Sequence, residues 1–195
     1  MAPSNGTENT ANRDDTDVVA LLTRQHREIE ARLDEVLAHT GSERRHAFER
    51  LVHLLAVHET AEEEVVHPYA RRSVAGGEPV VSDRLKEEAA AKEVLSRLEG
   101  LDPDDPAFVE RFTELRRSVL EHARAEEKQE FSRLRQNGDP HRLELLAKAV
   151  RAAEAVAPTR PHPGTESAAK NLVLGPATAV ADRARDAVRS ALRSG

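Results

Sequence analysis

Three histidines and two glutamates stand out because of what they interrupt. His26 lies in the run LLTRQHREI, His58 and Glu62 in HETAEEEVVHP, and His122 and Glu126 in HARAEE. Each occupies a position where helical periodicity calls for a core residue: His58 and Glu62 follow Leu55 and precede Val65, and His122 and Glu126 follow Val119 and precede Gln129. Imidazoles and carboxylates aimed inward from several helices form a ligand set for cations. An inward Glu one turn from an inward His is the construction by which bundle cores hold two metal ions, the carboxylates bridging both.

The spacing alone carries little, because His-x-x-x-Glu occurs five times in this chain of nine histidines. His39/Glu43 spans a break at Gly41, His162/Glu166 lies in a Pro/Gly-rich tail, and Glu30 is off the stripe that holds His26. A single buried His is most simply part of a hydrogen-bonded core. Gathering three imidazoles and three carboxylates at one depth, with Glu88 as the third, would instead leave uncompensated charge at a cost of several kcal/mol per ion. A pair of cations relieves it.

Four segments must position these residues. The first runs from about Thr16 to Thr40 with Val19, Leu22, His26, Ile29, Leu33 and Val36 on one face, preceded by an Asp15/Thr16/Asp17 cap region and ended by Gly41. The second, about Ser42 to Val74, is striped by Phe48, Leu51, Leu55, His58, Glu62, Val65 and Tyr69, with Pro68 expected to kink it near Val65 or His67. AGGEP breaks it. A shorter third, about Ser82 to Glu99, carries Leu85, Glu88, Lys92 and Leu95. The fourth, about 106 to 136, is capped by Asp105 with Pro106 in its first turn and striped by Phe108, Phe112, Leu115, Val119, His122, Glu126 and Gln129.

Short connections make neighbouring helices antiparallel. His26 lies 15 residues before Gly41 and His58 lies 17 after it, which brings them to within roughly 3 Å of the same level. The expected fold is all-α: an antiparallel up-down four-helix bundle over 15–137, a disordered polar segment over 1–14, and an accessory helix with an extended tail over 138–195. The last stretch, from about Ala177 to Arg193, sets Arg183, Arg185, Arg189 and Arg193 around a thin apolar face suited to docking on the bundle or on a second subunit of a homodimer.

Composition narrows the chemistry. With no cysteine, thiolate zinc sites, iron–sulfur clusters and cysteine nucleophiles are excluded. A net charge of −6 and 3% aromatic residues argue against a nucleic-acid partner. The N-terminus shows no basic and apolar leader pattern and the chain no long apolar run, so a soluble cytoplasmic protein without membrane association is expected. Carboxylates with imidazoles suit iron or manganese best and zinc less well. Haem would leave Glu62 and Glu126 without a role.

The order His, HxxxEE, a third-helix ligand, HxxxEE resembles the hemerythrin-like HHE cation-binding proteins over about residues 16–136. The tail APTRPHPG followed by NLVLGP is similar to actinobacterial members. The resemblance implies an oxo- or hydroxo-bridged di-iron centre, with His26, His58 and His122 holding two iron ions and Glu62 and Glu126 bridging them. It also implies a small ligand, O2, H2O2 or NO, in oxidative-stress chemistry or sensing. A peroxidase- or catalase-like or NO-handling enzyme and a passive sensor would share this site.

The family usually carries His on the third helix, in a run like EHxxxK, where this chain reads EEAAAK with Glu88. A carboxylate there adds negative charge, favours ferric iron and disfavours reversible dioxygen carriage. Lys92 could pair with Glu88 or snorkel to the rim. Adjacent Glu59 and Glu127 are most simply solvent-facing, His67 falls on another face from His58, and Tyr69 reads as core. His46, His53, His141 and His162 read as unrelated to the site. The competing reading is a non-redox interaction or oligomerisation module, metal-free or with structural zinc.

Overall fold

Three helix starts are written directly into side chains. The Asp17 carboxylate accepts from the Ala20 N–H at 2.9 Å, Asp105 from Ala107 at 2.8 Å and Asp139 from Arg142 at 3.1 Å; Pro106 and Pro140 occupy first-turn positions where no N–H is needed. The computed structural model describes residues 16–73 and 76–157, so the expectations for 1–14 and for the tail beyond 157 lie outside the described residues. The helices are α1 (Val18–Ala38), α2 (Gly41–Ala61), α3 (His67–Ser73), α4 (Gly77–Glu99), α5 (Pro106–Glu126), α6 (Ser132–Asn137) and α7 (Pro140–Glu154). α2 runs into α3 through a π-helical segment, Glu62–Val66, and α5 runs into α6 through another, Glu127–Phe131. The four expected bundle helices are therefore α1, α2 with α3, α4, and α5 with α6.

The chain ends of these helices are tied together. The Gly41 N–H donates to both oxygens of Asp104, at 2.8 and 3.0 Å, and Arg44 donates to the carbonyls of His39 and Pro103, each at 2.7 Å. The α1–α2 and α4–α5 connections thus sit at the same end of an up-down bundle.

Two apolar cores result, with a polar layer between them. At one end Phe48, Phe108 and Phe112 pack with ring centroids 5.3 to 6.0 Å apart, surrounded by Leu33, Val36, Leu51, Leu95 and Leu98. At the other, Val19 and Leu22 of α1 meet Val65, Val66, Phe131 and one face of α7: Leu143, Leu146, Ala147, Val150 and Ala153. The C-terminal helix completes that core. Among the described residues no helix is long and apolar enough to cross a membrane.

Two expectations need correction. The third bundle helix begins at Gly77 and not near Ser82, because Pro79 is tolerated in a first turn. The approach of α3 also demands glycine there: a Cβ on Gly77 would lie 2.3 Å from the Ala70 carbonyl oxygen. Where a simple kink at Pro68 was expected, the helix instead widens into the π segment, with the His67 N–H bonded to the Glu62 carbonyl five residues back. Pro68 cannot donate to the carbonyl of Glu64, so the ordinary pattern is already broken at that turn.

Candidate metal centre

Between the two cores lies a layer of imidazoles and carboxylates, all buried save the partly exposed His122. α1 contributes His26, α2 His58, the first π segment Glu62, α4 Glu88, and α5 His122 and Glu126. Glu62 and Glu126 are fully buried and Glu88 is 1% exposed. The structure brings all six expected residues together. One oxygen of Glu126 stands 3.3 Å from Nε2 of both His26 and His122, and Glu62 stands 3.3 Å from Nε2 of His58. These separations are long for charge-assisted hydrogen bonds. They match the spacing of neighbouring ligands around one ion with bonds of about 2.1 Å.

Ligand atoms of His26, His58, Glu62 and Glu126 all lie within 4.8 Å of one another, and so do those of Glu62, Glu88, His122 and Glu126. The two sets share Glu62 and Glu126. Two ion positions joined by two carboxylates are therefore geometrically available, as bridging roles for those residues require.

Unpartnered atoms mark the same place. Both oxygens of Glu62, both of Glu126, Nε2 of His26 and one oxygen of Glu88 are buried without a hydrogen-bond partner. Each such group costs about 1–3 kcal/mol unless something coordinates it. Protons carry part of the charge instead. Burial, with the neighbouring Glu126, pushes Glu62 well above the carboxylate range, whereas His122 and His26 hold Glu126 well below it against the opposing effect of burial. Burial and repulsion from His26 depress His58 to about 3, leaving it neutral; Glu126 outweighs burial at His122 and raises it.

Each imidazole is oriented through its other nitrogen. His58 Nδ1 is 2.9 Å from Oε1 of Gln25, His26 Nδ1 is 3.0 Å from Glu127 and His122 Nδ1 is 2.8 Å from Glu87. Since an amide or carboxylate oxygen only accepts, each Nδ1 carries a proton, which leaves Nε2 as the nitrogen that faces the glutamates and is available to a cation. Gln25 in turn donates to Glu154 of α7, and Arg84 donates to Glu87 at 2.9 Å. Gln25, Glu87, Arg84 and Glu154 carry no motif and escaped the sequence reading.

Several expectations change at the π segments. His67, assigned to another face, is 1% exposed and spans two carboxylates: Nε2 to Glu88 at 2.8 Å and Nδ1 to Glu130 at 3.1 Å. The i→i+5 hydrogen bond widens the turn by an extra residue through a π segment, which brings His67 back toward the face of Glu62. In the second segment Gln129, expected on the core stripe, is exposed, while Glu130 and Phe131 are buried. A ligand-type residue five positions after Glu62 and followed by proline was the available signal.

Glu59 is buried and not solvent-facing, and Lys92 pairs with Glu63 and, at 3.8 Å, with Glu59 in place of Glu88. Burial raises Glu59 to about 8 and Glu63 to about 7, so the two carboxyls share one ammonium. Glu127 is half-exposed yet holds His26, and Tyr69 is core as expected.

A cavity of about 720 Å³ between α4 and α5 reaches the layer. His26, His58, Glu88 and His122 line its floor; Ala91, Val94, Leu115 and Val119 are among the apolar residues of its walls. The metal-ligand side of the layer is thus open to small molecules.

A helical bundle whose core carries shared glutamates between imidazoles is a cation-binding bundle in architecture. Residues 17–134, more than half of the chain, match the hemerythrin HHE cation binding domain, and the chain belongs to that family. It is also similar to a curated protein of a Nostoc species named DNA nickase, with 31% identity over 100 residues, 51% of this chain and 28% of that one. The chain therefore spans well under a third of that relative's length. No solved structure matches.

Proposed function

We propose that this protein holds two iron ions in the His/Glu layer and uses them to bind, sense or turn over a small oxidant, O2, H2O2 or NO, in the response to oxidative stress. The observation carrying this reading is the pair of ligand sets that share Glu62 and Glu126 and open onto the cavity. Glu62, Glu88 and Glu126 supply buried anionic oxygen to the two positions, and the absence of thiolates favours iron.

His26 and His58 would hold one ion and His122 with Glu88 the other, with Glu62 and Glu126 common to both sets of ligands. Bound there, iron would supply one-electron steps toward the oxidant. Gln25, Glu127 and Glu87 keep the imidazoles in the tautomer that ligation needs. The cavity leads a small molecule to the layer past Ala91, Val94, Leu115 and Val119.

Anaerobic loading with ferrous ion tests the reading. At least two irons per chain, followed on exposure to air by near-ultraviolet charge-transfer absorption that ferrous protein lacks, is the expected result. Less than one iron per chain, or a spectrum unchanged by air, NO and peroxide, would favour a non-redox module.

A further inference from the structure

We infer that His67, Glu130 and Glu126 form a third cation site, adjoining the dinuclear pair on the side away from the cavity. The inference rests on the dinuclear reading, because Glu126 would be shared. One nitrogen of His67 and one oxygen each of Glu126 and Glu130 lie within 4.8 Å of one another, and all three residues are at most 2% exposed. Neither His67 nor Glu130 lines the cavity floor.

Two further observations point to a ligand. Oε2 of Glu130 is buried without any hydrogen-bond partner, as are both oxygens of Glu126, so both residues of this cluster have buried lone pairs that nothing in the protein satisfies. The arrangement of His67 also repeats that of the other three imidazoles in the layer. Each of those turns one nitrogen to a ligand-type carboxylate and the other to an orienting acceptor. In His67, Nδ1 faces Glu130 at 3.1 Å, the spacing of adjacent ligands on one ion, and Nε2 faces Glu88 at 2.8 Å.

Glu88 then plays two parts, accepting from His67 with Oε1 and offering its unpartnered Oε2 to the dinuclear pair. That links the third position to the cavity side through one side chain. The donor set, one imidazole and two carboxylates in a closed pocket, suits a divalent transition-metal cation such as ferrous or zinc ion.

The test is a titration of the full chain with ferrous ion under anaerobic conditions, and separately with zinc, reading bound metal per chain after removal of free ion. Three equivalents are expected in the wild type and two in both His67→Gln and Glu130→Gln, with unchanged helical circular dichroism. Saturation at two in the wild type overturns the third site and leaves the dinuclear reading standing; saturation below two overturns both. Three equivalents retained in both variants would assign the extra ion to the acidic surface and overturn the proposal. One equivalent in either variant would place that residue in the dinuclear pair, which also overturns it.

Discussion

Glu88 stands where the resemblance drawn from the sequence led us to expect a histidine, and its surroundings sharpen the consequence. It is 1% exposed and receives a hydrogen bond from His67 at 2.8 Å, so the third-helix position carries a buried carboxylate held in place by an imidazole. Glu88→His should raise the reduction potential of an iron-loaded site; spectroelectrochemistry showing an unchanged or lower potential would count against the proposed role. Gln25→Ala, which removes the acceptor that orients His58, should lower metal affinity about 10–100-fold while stoichiometry is retained, as read by competition with a chelator. Protons provide a third check at this scale. Glu62, His67 and His122 all have raised pKa values without metal, the first through burial and the two imidazoles because nearby glutamates outweigh it. All three are held toward their protonated forms and must give up protons to ligate, so loading should release protons and affinity should fall as pH falls. A titration in weak buffer with a pH indicator measures this; no release would contradict the assignment.

At the scale of elements, the two π segments do the positioning that regular helices would not. Glu62–Val66 and Glu127–Phe131 occur in the two longest helical stretches at the level of the metal layer, and each moves a polar residue, His67 or Glu130, inward. Pro68 accounts for a break in the first; we have no physical account of the second from its residues, EKQEF. The backbone of α4 approaches α3 closely where Gly77 meets the Ala70 carbonyl. Gly77→Ala should cost about 1–3 kcal/mol in urea unfolding, because backbone has to move to admit the methyl group. Phe112→Ala should cost about 3–5 kcal/mol, the usual loss for a large core side chain, without changing the number of ions bound, since its aromatic cluster lies beyond the polar layer.

For the whole molecule, metal binding and folding are one equilibrium. The layer joins four bundle helices, so a bound cation stabilises the native state alone. Free metal at about 100 times Kd should add about 2.7 kcal/mol, visible as a raised Tm that a chelator reverses. α7 belongs to the same balance. It contributes Leu146 and Val150 to the core around the site and Glu154 to the hydrogen bond on Gln25, so the C-terminal helix supports the imidazole of His58 from outside the bundle proper.

Side-chain pattern along the chain was enough to place four bundle helices, the cap region that contains Asp17, the cap at Asp105, and the convergence of His26, His58, Glu62, Glu88, His122 and Glu126, though not the start of the third helix. This worked because a 3.6-residue period assigns each position to a face as long as the helix stays α. Only the tertiary structure decided what lay beyond the π segments, where one extra residue per turn rotates every later side chain. His67 and Glu130 moved inward and Gln129 outward for that reason. It also decided the partners: Lys92 with Glu63, His58 with Gln25, Gln25 with Glu154. Those choices depend on distances between helices, and no periodicity along one chain encodes the distance to another.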